Sequence, residues 1–430
     1  MSLSQNISRI ISSAFLKDAL SLSGGTAIAQ AITFVTLPIL TRLYTAEDFG
    51  ILALYIAISS MLSIFATLKI EQIIMLPDSD DDAASALLAL FAISLLFSII
   101  IFCIILFIDK HLLYPNYMSE LGIWLYFIPA SVFIFSTSQG LKFWLMRNKM
   151  FKLISVSLIS AITIGSIISI IIGFTFKHFI IGPTGLLVGY LCEGLFRPLI
   201  MLYGFHYHSL FTKPPGFKKI YTSVVEYKKL ILTLLVSHSI SAFYSRALIM
   251  AVEILYGPTT LGYFSMAQKV ISAPPALISN ALGDVFRQRA SVAWRQRGNF
   301  SALFLKTLML SSIIGAPLYS LAIFVAPDMF AFILGNQWRI SGQYASIIMI
   351  SGLFAFIATP VDKGAIIVNA YRYIFNWHLV RMFLYVFSIL LIADIDYDFS
   401  YLLYLIVLID VFMWIIDCVY EYRFSKGIVG

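Results

Sequence analysis

Long apolar segments constrain this chain more than any other feature of its sequence. Residues 83–108 and 153–176 contain no charged side chain, and about 20 apolar residues in a helix suffice to cross roughly 30 Å of membrane hydrocarbon. Neither segment shows the two-residue alternation of a membrane barrel strand. The composition agrees, because 60% of the residues are hydrophobic and 12% are charged, whereas soluble domains carry about 25% charged residues. The sequence therefore predicts an all-α polytopic membrane protein and excludes a soluble globular protein.

Apolar runs separated by polar breaks predict about twelve transmembrane helices along the 430 residues. If the N-terminus lies in the cytoplasm, most of the 29 Lys and Arg residues fall in cytoplasmic connections or termini. Positive residues favour the cytoplasmic side of a membrane protein, so we expect both termini there. The same topology explains the net charge of +7 without a nucleic-acid partner. The predicted spans cover residues 19–41, 50–68, 83–108, 121–141, 153–176, 181–203, 230–250, 260–282, 303–325, 341–360, 373–393 and 399–418.

A short internal repeat indicates that the chain is duplicated. The sequence LYTAEDFGILAL from Leu43 aligns with LYGPTTLGYFSM from Leu255 at a constant offset of 212 residues. Each copy lies at the turn between the first and second spans of a six-span half, which makes the halves parallel repeats. We expect an N-terminal six-helix lobe over 1–205, a cytoplasmic linker over 206–229 and a C-terminal six-helix lobe over 230–430. Two such lobes around a cleft are typical of alternating-access transporters, which bind substrate near the lobe interface.

The turn between the first two predicted spans carries a motif. It begins with a Pro and a Thr-Arg pair, continues through a Leu-Tyr turn, and places an acid before Phe-Gly. This motif and the later stretch LKIEQIIMLPDSDDDA resemble the Wzx-type O-antigen and polysaccharide-repeat flippases of the multidrug/oligosaccharidyl-lipid/polysaccharide exporter superfamily. The specific similarity ends at Ala83, whereas the span number and the length of 430 residues fit the family over the whole chain. The matching residues are Pro38, Thr41, Arg42, Leu43, Tyr44, Glu47, Phe49, Gly50, Lys69 and Glu71.

The resemblance implies a flippase of the bacterial inner membrane. Such a protein moves an undecaprenyl-diphosphate-linked oligosaccharide, for example an O-antigen unit for lipopolysaccharide, from the cytoplasmic to the periplasmic leaflet. The resemblance also implies the V-shaped, two-lobed fold of MATE multidrug exporters, with the first, second, seventh and eighth spans lining the cleft. The partners expected on this basis are the lipid-linked oligosaccharide, membrane lipids and the polysaccharide polymerase machinery. We expect a transporter, not an enzyme, with no cofactor other than H⁺ or Na⁺ as a coupling ion.

Positively charged residues inside predicted spans are the first candidates for a substrate site. A charge within a membrane helix costs about 2.5 kcal/mol or more, so such groups usually face a cavity or a partner. Arginine can hold phosphate oxygens through two parallel hydrogen bonds, which suits a diphosphate or an acidic sugar. Snorkelling to the membrane surface is an alternative for Arg42, and an ion pair with Glu253 is an alternative for Arg246. The predicted cationic cleft consists of Arg42, Arg246, Lys269 and Arg381.

Carboxylates within or beside the spans are candidates for coupling transport to an ion gradient. A titratable acid in a cavity can exchange a proton or bind Na⁺ while the substrate moves. Asp284 and Asp417 lie at inner ends of predicted spans, where we expect water to solvate them, and Asp362 is expected to pair with Lys363. The predicted coupling residues are Glu47, Glu253 and Asp410.

Polar side chains recur at helical spacing on the first two predicted spans. They could bind sugar hydroxyls, or they could serve only as contacts between helices. The predicted polar lining of the cleft consists of Thr26, Gln30, Thr33, Tyr55 and Ser59.

Two other functions are weighed against this prediction. An ion-coupled drug or small-solute antiporter could use the same fold, although the predicted cationic cleft would repel a small cation. A polysaccharide polymerase or ligase needs a large periplasmic loop, and the connections near 109–120 and 327–340 are too short for one. Because the sequence has no Walker, GxSxG or HExxH motif and no metal-ligand spacing, neither hydrolytic or transferase chemistry nor a metal site is expected.

Overall fold

The computed structural model describes residues 14–111, 121–176, 182–203, 224–393 and 397–428. Regular structure in these ranges is helical, and they contain no β-strand. Short 3₁₀ segments cover Ile70–Met75, Gly122–Phe127 and Asn336–Trp338. The α-helices, numbered in chain order, are α1 (Ala14–Leu43), α2 (Ala46–Thr67), α3 (Asp80–His111), α4 (Ile128–Arg147), α5 (Phe151–Thr175), α6 (Thr184–Leu202), α7 (Lys228–Arg297), α8 (Ser301–Leu334), α9 (Arg339–Ala358), α10 (Gly364–Ile367), α11 (Tyr371–Ala393) and α12 (Phe399–Ser425).

Ten helices within the described ranges are long and apolar enough to cross a membrane. The prediction of an all-α polytopic membrane protein is therefore confirmed. Two differences from the twelve predicted spans have local causes. Helix α4 is 20 residues long, enough to cross a membrane, but Lys142 and Arg147 lower its hydropathy. The seventh and eighth predicted spans lie on either side of a kink at Gly257 in the 70-residue segment α7, which therefore counts as one of the ten helices. The placement of both termini in the cytoplasm stays a prediction.

The two copies of the internal repeat interrupt their helices at equivalent positions. Between α1 and α2, Thr45 caps the helix, since its side chain accepts a hydrogen bond from the Asp48 backbone N–H. The Asp48 carboxylate accepts one from the Thr45 backbone N–H at 2.8 Å, which satisfies a second donor at the helix start. Helix α7 breaks at Gly257, where φ is 78° and ψ is 172°, a conformation that glycine adopts without a Cβ clash. Gly257 follows Thr45 by 212 residues, the offset of the repeat.

The chain divides into two compact units, Met1–Ser239 and Ile240–Gly430. The predicted linker over 206–229 lies largely outside the described residues, because the structure describes only 224–229 of it. The predicted boundaries of the two lobes therefore stay predictions.

The N-terminal unit has an apolar core between α3, α4 and the 3₁₀ segment that follows α2. Ile73, Leu90 and Leu141 are fully buried there, and the Trp144 side chain is 1% exposed. Close packing of these side chains holds the 3₁₀ segment against α3 and α4.

Arg147 fixes the connection between the 3₁₀ segment and α3. Its guanidinium donates hydrogen bonds to the carbonyl oxygens of Pro77 at 2.7 Å and Ile74 at 3.3 Å. The Arg147 Nε also pairs with Asp80 at 3.0 Å. A guanidinium has several N–H donors in a fixed plane and can bind several acceptors at once. Arg147 therefore holds the connection between the 3₁₀ segment and α3 in place.

Small residues bring α1, α5 and α6 close together. A Cβ added at Gly165 of α5 would lie 2.7 Å from the carbonyl oxygen of Gly189 in α6. A Cβ added at Gly25 of α1 would overlap the Cβ of Ser155 in α5. Close approach through small residues is a usual basis of helix association in membranes.

Aromatic packing around Phe399 joins α7, α9 and α12 in the C-terminal unit. The Phe399 ring lies 5.3 Å from the Tyr256 ring, 5.4 Å from Phe264 and 5.0 Å from Tyr344, between ring centroids. These edge-to-face contacts add to the burial of Phe399, which is 2% exposed. The start of α12 is thereby fixed beside the break in α7.

Candidate functional site

An ion pair between α11 and α12 is the most distinctive feature of the C-terminal unit. The Arg381 Nη2 lies 2.7 Å from Asp410 Oδ1, and the two side chains are 15% and 14% exposed. The Tyr385 hydroxyl donates to the same carboxylate oxygen at 2.8 Å. Arg381 and Tyr385 share one face of α11, because residues four apart on a helix are neighbours. The structure thus places two predicted site residues, one cationic and one acidic, in direct contact within membrane-spanning helices.

Aromatic rings surround the Arg381 guanidinium. Its central carbon lies 5.4 Å from the ring centroid of Tyr244, 5.6 Å from Tyr385 and 5.8 Å from Trp414. The rings contribute cation–π attraction and exclude lipid from the charge. The Arg381 Nε is buried and has no hydrogen-bond acceptor among the described residues. The guanidinium therefore keeps one buried donor that no described residue accepts from.

Two buried carboxylates lie further along α12, and the first of them contradicts our expectation. Asp417 is 5% exposed and accepts a hydrogen bond from the Tyr373 hydroxyl at 2.7 Å, so the prediction that water solvates it is wrong. Glu421, which the sequence reasoning missed, is 1% exposed and accepts a hydrogen bond from the Ala365 backbone N–H at 3.1 Å. The spacing of Asp410, Asp417 and Glu421 puts them on one helical face, a signal that could have identified both.

The other two acidic residues considered at span ends behave as expected. Asp284 is exposed, and Asp362 pairs with Lys363 at 2.6 Å. Burial raises the pKa of the Asp362 carboxyl above its ordinary value, and the neighbouring Lys363 charge opposes this rise. Within the described ranges, no group of three or more His, Cys, Asp or Glu side chains could hold a metal ion.

The remaining predicted cationic residues lie in different surroundings. Arg42 is exposed at the end of α1 and donates to the Pro38 carbonyl oxygen at 3.0 Å. Arg246 is half-buried on α7, Lys269 is exposed on the same helix, and Glu253 between them is 4% exposed. Their role in a substrate site stays a prediction.

The predicted polar residues of α1 and α2 differ in burial. On α1, Gln30 is exposed and Thr26 and Thr33 are half-buried. The Thr33 hydroxyl donates to the Ala29 carbonyl oxygen of its own helix at 3.1 Å. On α2, Tyr55 is fully buried and Ser59 is 2% exposed. Glu47, the predicted coupling residue at the start of α2, is exposed.

Tyr55 reaches into the interior of the N-terminal unit. Its hydroxyl lies 2.6 Å from the Ser131 hydroxyl of α4, and its ring meets the Tyr190 ring of α6 edge-on at 5.9 Å. Tyr55 therefore contributes to a polar contact among three helices of its own unit.

Comparison with known proteins identifies the family of this chain and its fold. A model of the family described as polysaccharide biosynthesis protein matches residues 39–342. No curated protein sequence matches the chain. A solved multidrug MATE transporter of the MOP superfamily, in an inward-facing conformation, is 14% identical over 93% of this chain and 95% of that one, with a TM-score of 0.63.

Two further structures agree with this likeness. A MATE protein in complex with MaL6 is 13% identical over 97% of this chain and 98% of that one, with a TM-score of 0.59. A MOP superfamily transporter from Pyrococcus furiosus, described as having a binding pocket of reverse polarity, is 12% identical over 97% and 98%, with a TM-score of 0.57. At such low identity these structures show the fold, and the predicted MATE-like fold is confirmed.

Proposed function

Because this chain belongs to the polysaccharide biosynthesis protein family, whose model matches residues 39–342, we propose that it flips undecaprenyl-diphosphate-linked oligosaccharides. The substrate would be an O-antigen unit or a related polysaccharide repeat unit, moved from the cytoplasmic to the periplasmic leaflet of the bacterial inner membrane by alternating access. Family and fold together confirm the resemblance to the Wzx-type flippases, and the chain is a multi-pass membrane protein. A polysaccharide polymerase as its partner stays a prediction.

The Arg381–Asp410 pair is the observation that carries this proposal. Ionised residues inside membrane-spanning helices are rare and usually line a path for substrates or ions. An arginine can bind two phosphate oxygens at once, and the ring-lined surroundings of Arg381 would strengthen the attraction by excluding water. A diphosphate is the part of the proposed substrate that needs such a group.

Coupling to an ion gradient follows from the partner of Arg381. While Asp410 is ionised, it holds the guanidinium at 2.7 Å. A proton or Na⁺ that neutralises Asp410 would release Arg381 to the diphosphate, and loss of that ion would return Arg381 to Asp410. Breaking a buried ion pair costs about 3–5 kcal/mol, so ion binding and substrate binding would be strongly linked at this site.

An ion-coupled drug or small-solute antiporter is the second candidate, since a multidrug MATE transporter has the same fold. In that case a small cation would have to displace Arg381 from Asp410. Transport of a cationic dye, with no movement of the lipid-linked oligosaccharide, would favour this function.

The test is a flipping assay with the full chain in proteoliposomes. An undecaprenyl-diphosphate oligosaccharide is incorporated, and its appearance on the outer surface is measured with a lectin, with and without a proton or Na⁺ gradient. We expect Arg381→Gln to slow sugar exposure by at least about tenfold, equivalent to roughly 1.4 kcal/mol. The matched control is Arg372→Gln, the same change at an exposed position of the same helix, and we expect it to flip at the wild-type rate.

A charge exchange separates a binding role from a structural one. Arg381→Asp combined with Asp410→Arg keeps an ion pair but moves the positive charge to α12. If Arg381 binds the diphosphate, the exchanged protein folds and yet does not flip the substrate. Wild-type flipping by this double variant, or by Arg381→Gln, would contradict the proposed role of the pair.

A further inference from the structure

A small, partly open cavity lies between α4 and α6 in the N-terminal unit. Its volume is about 90 Å³, and its polar lining comes from Ser131, Ser138, Tyr190, Glu193 and Arg197. One water molecule occupies about 30 Å³ in the liquid, so the cavity has room for a group of a few heavy atoms. The contact between Tyr55 and Ser131 borders this space.

The charges around the cavity do not balance. Arg197 and Glu193 lie one helical turn apart on α6 and attract each other, while Lys142 of α4 repels Arg197. Of these three residues, Arg197 and Glu193 line the cavity, and Lys142 adds positive charge near Arg197. The Arg197 Nε is buried and has no hydrogen-bond acceptor among the described residues. A buried donor on a charged group without an acceptor is costly, and an anion beside it would remove that cost.

The remaining lining makes the cavity suitable for a small anion. Ile134, Phe135 and Leu191 supply apolar walls, which reduce screening and strengthen the attraction to Arg197. The Ser138 hydroxyl, on the α4 side, adds a neutral donor, and Gly194 contributes no side chain that would fill the space. A cation would meet Arg197 and would be repelled by it.

We propose that this cavity is a binding site for one small anionic group, with Arg197 as its principal ligand. The group is either a free monovalent anion such as chloride or the carboxylate of an acidic sugar. All residues that line this site belong to the N-terminal unit.

The test measures thermal unfolding of the purified full chain in detergent by tryptophan fluorescence. Sodium HEPES, the reference salt, is replaced stepwise by sodium chloride, acetate or glucuronate at constant ionic strength. We expect at least one of these three anions to raise the unfolding temperature in a saturable manner. In Arg197→Gln the concentration for half-maximal effect should rise by at least about tenfold, equivalent to roughly 1.4 kcal/mol. Arg287→Gln, the same change at an exposed site, should respond as the wild type does.

A second variant covers the case in which Arg197→Gln does not fold. A Cβ at Gly194 would meet only Ile134, at 3.6 Å, so Gly194→Leu should fill the cavity without disturbing the backbone, and it should abolish the anion effect. Saturation by chloride or acetate would identify a free anion, and saturation by glucuronate alone would identify the carboxylate of an acidic sugar. The proposal is overturned if no anion gives a saturable effect, if neutral glucose gives the same one, or if the effect persists in the folded variants.

Discussion

Asp362 shows how burial of a single residue produces a pH dependence. Burial raises the pKa of this carboxyl although Lys363 contacts it at 2.6 Å. A carboxyl whose folded-state pKa is raised binds its proton more tightly in the folded protein than in the unfolded one. Its contribution to stability is therefore complete below the unfolded pKa of about 3.9 and is lost as the pH rises through the folded-state pKa. We expect Asp362→Asn to reduce the loss of stability above about pH 4, measured as the unfolding temperature over a pH series.

The control for this measurement is Asp284→Asn, which removes the same charge from an exposed position. Subtracting the pH profile of each variant from that of the wild type isolates the contribution of the one residue, since Asp417 and Glu421 remain in both. Equal profiles for Asp362→Asn and the wild type would show that this carboxyl does not contribute to the pH dependence of stability.

At the residue scale, the sequence identifies unusual residues but not their partners. Arg381 and Asp410 stand out because charges inside apolar spans are expensive. Their contact depends on how α11 and α12 pack, which no local pattern encodes. Asp417 was misjudged because its position near the end of a span does not reveal which side of the helix faces the interior. How deep a residue lies in the membrane and which way its side chain faces are separate properties. The spacing of the acidic residues on α12 indicates the face on which they lie.

At the element scale, the adjacent glycines of α1 make different contacts. A Cβ at Gly25 would overlap the Cβ of Ser155 in α5 and lie 3.1 Å from its Cα, whereas a Cβ at Gly24 would meet no atom within 4 Å. Because the opposing atoms belong to or adjoin the backbone, α1 and α5 would have to separate. We expect Gly25→Ala to destabilise the protein by about 1–3 kcal/mol, as overpacking does. The measurement is thermal unfolding in detergent.

Gly24→Ala is the matched control, one residue away on the same helix. It should be neutral or stabilising by up to about 1 kcal/mol, because alanine favours the helix more than glycine does. If both substitutions have the same effect, the close contact between α1 and α5 does not limit the stability of the N-terminal unit.

Helix boundaries are predictable from the sequence where a turn is rich in polar and capping residues. The Thr45–Asp48 cap lies in a motif rich in polar residues, and the sequence placed a turn there. The sequence also placed a turn between the seventh and eighth predicted spans, and the chain breaks there at Gly257, with φ of 78° and without a long polar connection. Helix α4 shows the opposite case, in which basic residues at one end lower the hydropathy of a helix that is long enough to span.

At the scale of the whole molecule, the internal repeat constrains the membrane topology. A parallel repeat with an even number of spans per half requires equivalent turns to face the same side of the membrane. The turn at Thr45 and the break at Gly257 are equivalent by the 212-residue offset, and positive residues predict that both face the periplasm. The described helices agree with the duplication at these two positions, but they leave the orientation a prediction.

Cysteine labelling in intact cells tests the repeat and the orientation together. Glu47 and Thr259 are equivalent by the same offset, and both are exposed. In a background in which Cys103, Cys192 and Cys418 are replaced by alanine, we expect Glu47→Cys and Thr259→Cys each to react with a membrane-impermeant maleimide. Lys152→Cys and Asn299→Cys, exposed at predicted cytoplasmic ends, should react only after the cells are permeabilised. Labelling of Glu47→Cys and Thr259→Cys from opposite sides would rule out the parallel repeat. Labelling of both positions only after permeabilisation would agree with a parallel repeat but would place both turns in the cytoplasm, opposite to the predicted orientation. In a parallel repeat the two halves cross the membrane in the same direction, so the two positions always lie on the same side.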